Sequence, residues 1–398
     1  MKLLLKNCHI IDKDKDIFAD ILIENGKIKA IGEILEECDE IIDVKGKIIM
    51  PGFIDLHTHF RYPGQENKED LYTGSLSALA GGYTSCNLMG NTKPVVDNNE
   101  IYNQIIDKSK EIDLINIYQC MATTKDLKSI EMINFEKADN NIKFFSEDGK
   151  GITDSLLAFN IFTEIEKINK GIMVHAEDHN LTKISTRYAE DLETIRDCYL
   201  SLKTGCRVHF CHVSTIDSLE AIKFYKEKNA PITCEVTPHH IYMKDSDFRV
   251  NPSIRTQDDI DCIIKMIKNN TVDAIATDHA PHTKEDKDNG ACGMIGLETA
   301  FNIAYKVLHE ENDISLNKIS ELMSYNPAKI LGENKGVINP TYDADLVIID
   351  IDKEIKVEKF NSKSNNSPFI GEKFRGSIEM TIVNGKVKFE KGAKNDNR

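Results

Sequence analysis

Ile48-Ile49-Met50-Pro51-Gly52-Phe53-Ile54-Asp55-Leu56-His57-Thr58-His59-Phe60-Arg61 is an apolar run that ends in two histidines spaced i, i+2. Strand side chains alternate, so His57 and His59 leave the backbone on one face and offer two imidazoles to one divalent cation. Arg61 continues that alternation. An isolated His-x-His is weak evidence, because two histidines on a half-buried strand can simply hydrogen-bond. Three more passages share its form: Met173-Val174-His175-Ala176-Glu177-Asp178, His209-Phe210-Cys211-His212-Val213-Ser214 and Ala276-Thr277-Asp278-His279-Ala280-Pro281-His282. In each, a short strand-like run gives way to polar residues. A metal centre explains why His175, His212 and Asp278 stand at such ends together with His57 and His59.

With 398 residues, 40% of them hydrophobic, the chain is long enough for one large domain and a smaller companion. No run approaches the roughly 18–20 apolar residues of a membrane span. The opening Met1-Lys2-Leu3-Leu4-Leu5-Lys6 is too short for a signal peptide, which predicts a cytoplasmic protein with no membrane partner. Cys86, Cys120, Cys211 and Cys234 lie in apolar strand candidates and no Cys-x-x-Cys occurs, so reduced, buried thiols are expected. A formal charge of −15 argues against nucleic acid as a partner. An anionic substrate would need positive charge supplied locally.

The two ends of the chain look alike. Ile21-Leu22-Ile23-Glu24-Asn25-Gly26-Lys27-Ile28-Lys29-Ala30-Ile31 and Met380-Thr381-Ile382-Val383-Asn384-Gly385-Lys386-Val387-Lys388-Phe389 both alternate and fold at Asn-Gly, the strongest short-range hairpin signal. Each amphipathic sheet needs a partner for its apolar face, so residues 1–50 and 337–398 are expected to pack as one small β-sandwich, with Leu346-Val347-Ile348-Ile349 as a further strand. The polar segment 359–368 reads as a loop within that sandwich.

Residues 51–336 repeat strand and helix. Strand candidates lie at 49–56, 84–89, 115–122, 142–146, 172–175, 208–213, 232–236 and 274–277, with helical stretches such as 214–228 and 260–268 after most of them. This count predicts an α/β fold, a (β/α)8 TIM barrel whose site is assembled at the C-terminal ends of the strands. His57 and His59 then end the first strand, Asp148 follows the fourth, and His175, His212 and Asp278 stand at the fifth, sixth and eighth.

Further motifs appear in order: Asp55-Leu56-His57-Thr58-His59-Phe60-Arg61-Tyr62-Pro63-Gly64, Met89-Gly90-Asn91-Thr92-Lys93-Pro94, Phe145-Ser146-Glu147-Asp148-Gly149, Cys211-His212-Val213-Ser214-Thr215, Glu235-Val236-Thr237-Pro238-His239-His240, Asn251-Pro252-Ser253-Ile254-Arg255-Thr256 and Gly296-Leu297-Glu298-Thr299-Ala300. With the histidine and aspartate passages above, they resemble the bacterial class I dihydroorotases of the amidohydrolase superfamily over essentially the whole chain. The resemblance implies reversible, zinc-dependent hydrolysis of dihydroorotate to N-carbamoyl-L-aspartate in de novo pyrimidine (UMP) synthesis. It implies two Zn2+ per subunit, one held by His57, His59 and Asp278, the other by His175 and His212, with Asp148 bridging. A water acidified by the metals attacks the ring amide and Asp278 relays its proton to the departing nitrogen. Arg61, Asn91 and His282 match contacts to the substrate carboxylate, and Asn251 with the Cys292-Gly293 backbone match positions that hold the ring. The same resemblance implies a homodimer and an association with aspartate carbamoyltransferase.

Some positions depart from that family. Tyr62 replaces an acidic residue, Gly90 replaces a proline, and the interval from His175 to His212 is short. Ser146 stands where hydantoinases and allantoinases carry a carboxylated lysine, which favours Asp148 as the bridge; Lys143 and Lys150 read as solvated. Two alternatives remain: a hydantoinase, dihydropyrimidinase or allantoinase-type cyclic amidase, or a non-catalytic subunit of a carbamoyltransferase complex. Lost metal ligands would mark the latter, and every ligand position is filled. His179, His209, His239, His240 and His279 read as structural or supporting, Glu177 and Asp178 as supporting, Glu298 as a structural partner, and His9 and His309 as surface residues.

Overall fold

The computed structural model describes residues 2–393; Met1 and residues 394–398, at the ends of the expected terminal unit, lie outside them. The chain begins with β1 (Lys2–Ile11), β2 (Asp16–Glu24), β3 (Lys27–Gly32), β4 (Glu40–Asp43) and β5 (Ile48–Pro51). Asn25 and Gly26 both take positive φ, 52° and 78°, the type I′ turn expected of Asn-Gly. β1 pairs antiparallel with β2 and parallel with β4 and β5.

After Gly52 the chain passes directly into β6 (Phe53–Thr58). The expected strand 49–56 is therefore two strands: β5 belongs to the terminal sheet and β6 opens the barrel. A Cβ on Gly52 would stand 2.3 Å from Thr84 Cγ2, so the crossover has no room for a side chain. The barrel continues through β7 (Tyr83–Leu88), β8 (Asn116–Gln119), its short continuation β9 (Met121–Ala122), β10 (Phe144–Ser146), β11 (Gly171–Val174), β12 (Arg207–Phe210), β13 (Ile232–Val236) and β14 (Ala274–Ile275). Neighbours in this series pair in parallel. A parallel bridge between Thr58 and His279, with His59 N–H donating to His279 O at 2.9 Å, closes the ring. The expected (β/α)8 barrel is thus present. Leu56, Met89, Cys120, Phe144, Met173, Cys211 and Ala276 share a buried core within it.

Strands stop early where the site begins. β14 ends before Thr277 because the Thr277 N–H donates to the Asp55 carboxylate at 3.2 Å rather than to a ladder carbonyl. The chain leaves β12 before His212, which sits in the left-handed region at φ 36°. Helices Ile216–Glu227 and Gln257–Lys268 occupy the expected stretches, with Thr215 and Thr256 as N-caps. A helix from Thr186 to Thr204, capped by Ser185 and closed at Gly205 with φ 80°, fills most of the short interval between His175 and His212.

The tail returns as β15 (Leu346–Lys356), β16 (Lys373–Val383) and β17 (Lys386–Glu390), the last two joined by a second positive-φ Asn384-Gly385 turn. β15 pairs antiparallel with β5, so both chain ends form one continuous eight-stranded sheet rather than two separate ones. Its halves fold over a shared core of Leu3, Ile21, Ile23, Ile49, Ile338, Leu346, Ile348 and Ile382, the expected β-sandwich. Each such side chain contributes ~1.5–3 kcal/mol by leaving water.

Segment 359–368 does not stay within the sandwich. Asn361 and Ser362 donate to Glu298, Ser362 and Lys363 reach Glu69 and Asp70, and Asn366 reaches the barrel mouth. Its Asn, Ser and Lys side chains satisfy barrel groups, which is why a polar composition here is docked rather than merely solvated. Among the described residues no helix is long and apolar enough to cross a membrane. All ten cysteines are free, and Cys86, Cys120, Cys211 and Cys234 are buried.

Candidate metal centre and active site

The barrel mouth gathers the predicted residues around a cavity of about 230 Å³. Arg61, Asn91, Asn251, His282, Cys292 and Gly293 line it, as do His59, Asp148, His175, His212 and Asp278; His57 lies beneath, fully buried. The donor atoms of His57, His59 and Asp278 lie within 4.8 Å of one another, and so do those of His57, Asp148 and His212. His59 Nε2 is 3.2 Å from Asp278 Oδ1, His57 Nε2 is 3.2 Å from Asp148 Oδ1, and His175 Nδ1 is 2.8 Å from His212 Nε2.

The outer nitrogens decide which atoms face inward. His57 Nδ1 donates to Glu235 Oε1 at 3.2 Å, His59 Nδ1 to Asn91 Oδ1 at 2.9 Å, and His175 Nε2 to Glu177 Oε2 at 3.0 Å. An imidazole whose outer nitrogen donates to an oxygen keeps a lone pair on the inner one. His57 Nε2 is buried and makes no hydrogen bond of its own. Burial would raise Glu235 and Glu177, but hydrogen bonds from His209 and His57 hold the first at about 2, and those from His175 and Asn251 do the same for the second. Burial would also raise Asp148, yet His57, His59 and His175 keep it well below the usual carboxylate range. Burial, then His175 and His57, push His212 well down, so it is neutral. Burial would lower His57 and His175, but Cys211, Asp148 and Asp278 around the first and Glu177 and Asp148 around the second hold both above the usual imidazole range, so a divalent cation would take the place of their inner protons. Ionised carboxylates and the imidazoles so freed are the donor set such a cation requires, and the residues fit one.

Positive charge lies at the opposite edge. Arg61 Nη2 is 3.3 Å from His282 Nε2 and Arg61 Nε donates to Pro281 O at 3.2 Å. Burial lowers Arg61 only to about 10, so it stays charged; burial and then Arg61 depress His282 to about 3. Strand alternation does not carry Arg61 there: β6 ends at Thr58, and Arg61 turns inward at φ 56°. His212 and Asp278, at φ 36° and 48°, share that conformation, which costs a non-glycine residue roughly 1–3 kcal/mol and clusters at functional sites.

The remaining residues divide between those that fall as read and those that do not. His209 does support the centre, since its Nε2 donates to Glu235 Oε2 at 2.9 Å. Asp178 instead caps the short helix His179–Thr182, and His179 is exposed, because the chain turns outward after Glu177. His9 stacks on Phe18 and reaches Asp16, and His309 Nδ1 donates to Ile314 O, so both are half-buried rather than surface groups. Lys143 pairs with Glu333 at 3.0 Å. Sequence reading missed Glu235, which links two histidines, and Asn366, whose amide accepts from His282 N–H at 3.1 Å and donates to Ala280 O and Gly293 O. A glutamate in the middle of an apolar strand was the available signal for the first. Asn366 carries none.

The amidohydrolase family model matches residues 48–388. A dihydroorotase of Clostridium botulinum (strain Eklund 17B / Type B) is 48% identical over 402 residues, covering 98% of this chain and 100% of that one. A dihydroorotase of Elusimicrobium minutum (strain Pei191) is 39% identical over 428 residues, covering 98% of each. Among solved structures, the L-hydantoinase (dihydropyrimidinase) from Arthrobacter aurescens superposes with a TM-score of 0.90 at 26% identity, covering 98% of this chain and 96% of that one. The chain belongs to the amidohydrolase family, and within it to the dihydroorotases.

Proposed function

We propose that this cyclic-amide hydrolase is a zinc-dependent dihydroorotase that interconverts dihydroorotate and N-carbamoyl-L-aspartate in pyrimidine synthesis, acting in the cytoplasm. The observation that carries the reading is the half-buried, charged Arg61 beside His282 on the cavity wall of a protein whose net charge is −15. A neutral hydantoin or dihydropyrimidine ring gives such a cation nothing to pair with; the carboxylate of dihydroorotate does. The hydantoinases share this fold, but Ser146 stands where their bridging lysine would be.

In this reading His57, His59 and Asp278 would hold one cation and His175 and His212 the other, with the Asp148 carboxylate shared between them. When bound, two zinc ions would acidify a water from a pKa of ~15.7 toward ~7 and polarise the attacked carbonyl. Arg61 grips the substrate carboxylate with two parallel N–H donors, aided by Asn91 and His282. Asn251 and the Cys292-Gly293 backbone hold the ring; Gly293 sits at φ 126°, with Ala280 Cβ only 2.7 Å from where its own Cβ would be. Asp278 takes the water's proton and passes it to the departing ring nitrogen, a relay worth ~10²–10⁴ in rate. The hydrolase domain is 51–336, and 1–50 with 337–398 form its companion.

Turnover of dihydroorotate by the zinc-loaded protein, compared with dihydrouracil, hydantoin and allantoin, tests the assignment. Strong preference for dihydroorotate is expected. Faster turnover of a neutral ring would make the protein a cyclic amidase of the hydantoinase kind, and no turnover of any would favour a supporting subunit.

A further inference from the structure

Lys287 lies in the short helix Lys284–Asp288, on the excursion that leaves the cavity wall at His282 and returns to it at Cys292 and Gly293. Its helix neighbours turn outward: Lys284, Glu285 and Asp288 are exposed, and Asp286 shares a capping box with Thr283 and pairs with Lys68 at 3.2 Å. Lys287 is half-buried and turns the other way. Its ammonium donates to Arg249 O at 2.8 Å, Ala291 O at 2.9 Å and Gly293 O at 2.9 Å, and stands 4.5 Å from the centre of the Phe248 ring. An ammonium has three N–H donors, so this one is spent entirely on backbone carbonyls.

Those carbonyls belong to the two segments that face the ring in the reading above. Arg249 stands two residues before Asn251, and Ala291 and Gly293 flank Cys292. The stretch Gly290-Ala291-Cys292-Gly293 has little of its own to order it: it begins and ends at glycines with φ 89° and 126°, and Cys292 is exposed. Gly293 N–H donates to Arg249 O at 3.0 Å, the oxygen that Lys287 also reaches, and Gly293 O takes a second donor from Asn366 at 3.2 Å. One lysine thereby laces the Asn251 side of the cavity to the Gly293 side. Hydrogen bonds from an ammonium are roughly twice as strong as neutral ones. None of the three reaches Arg61, Asn91 or His282, the groups assigned to the carboxylate.

A wall that is out of place for part of the time lowers apparent affinity by that fraction, and does so equally for every ligand the wall holds. Chemistry after binding is untouched, so the loss falls on KM and not on kcat.

We propose that Lys287 is a positioning residue that fastens the ring-holding wall, separately from the recognition of the carboxylate by Arg61. The substrate side of this inference rests on the dihydroorotase reading; the fastening of residues 290–293 does not.

Lys287→Met in the zinc-loaded full chain tests it, since methionine keeps an apolar stem against Phe248 and removes all three donors. Amide exchange over residues 289–294, followed by mass spectrometry without substrate, should speed up by about tenfold. KM for dihydroorotate should rise by about tenfold with kcat within about twofold, and the inhibition constant of dihydrouracil should rise by the same factor as KM. Lys287→Gln, with two N–H donors and no charge, should fall between wild type and Lys287→Met. Zinc content should be unchanged in both variants. Unaltered exchange would overturn the proposal. So would a rise in KM with no change for dihydrouracil, which would make Lys287 a charge that attracts the anion, or a loss of kcat or zinc at constant KM, which would make it a support for the metal centre. A wild type that leaves dihydroorotate intact would count against the substrate reading alone, and the exchange rates would then decide on Lys287.

Discussion

Glu235 Oε1 receives the Nδ1 proton of His57 at 3.2 Å, while its other oxygen receives the Nε2 proton of His209 at 2.9 Å. One buried carboxylate thereby fixes the tautomer and orientation of the innermost histidine. Glu235→Gln keeps the shape but leaves one acceptor oxygen for two histidine N–H donors. Metal affinity should fall about 10- to 100-fold, read by competition with a chelator, with the fold retained. Unchanged zinc affinity would show that His57 needs no such support.

Metal content bears directly on the donor set. The clustered donors exceed the four positions of one tetrahedral zinc, so elemental analysis should find about two zinc ions per chain and chelation should abolish turnover. His175→Ala or His212→Ala should empty mainly one site. Full activity with never more than one metal would contradict a dinuclear centre.

Asp278 is expected to move the proton as well as face the metal. Asp278→Asn keeps an oxygen donor but no base, so kcat should drop by ~10²–10⁴, further than metal content does. A variant with its zinc and near-normal turnover would assign the proton to another group.

Glu193 links stability to pH. It receives the Ile152 N–H at 2.7 Å, and Arg196 donates from the same helix to Ile152 O at 2.6 Å, so together they anchor the segment that follows Asp148. Burial pushes the Glu193 carboxyl up, and Asp197 beside it pushes it further. In the unfolded chain it ionises near its ordinary 4.5, so above that pH the folded state holds a proton the unfolded state has lost, and stability falls as pH rises. Glu193→Gln removes that loss. Its Tm relative to wild type should rise from pH 5 to about pH 8, where the folded carboxyl titrates, and level off above; a pH-independent difference would show the carboxyl ionised throughout.

Much of this was legible because strand ends announce themselves. His57, His175 and His212 each follow an apolar run, and parallel strands ordered around a barrel bring such ends to one mouth whatever lies between. The Asn25-Gly26 and Asn384-Gly385 turns were equally plain, since few other pairs accept two positive φ values. What stayed hidden depends on distant chain. Gly52 divides one apparent strand between two units through its closeness to Thr84, and Asn366 reaches the site from a loop whose composition says only that it is polar. Arg61 reaches the cavity wall by a turn at φ 56° that alternation does not foresee.

The central claim is that Arg61 selects an anionic ring, and the most direct measurement is kcat/KM for dihydroorotate and for dihydrouracil in wild type and Arg61→Ala. Removing the guanidinium should cost about 2–4 kcal/mol on dihydroorotate, roughly 30- to 1000-fold, and far less on the neutral ring, with Arg61→Lys restoring only part. The ratio between the two substrates should therefore collapse in the alanine variant. Equal losses on both would contradict the account and leave Arg61 as a support for the barrel mouth.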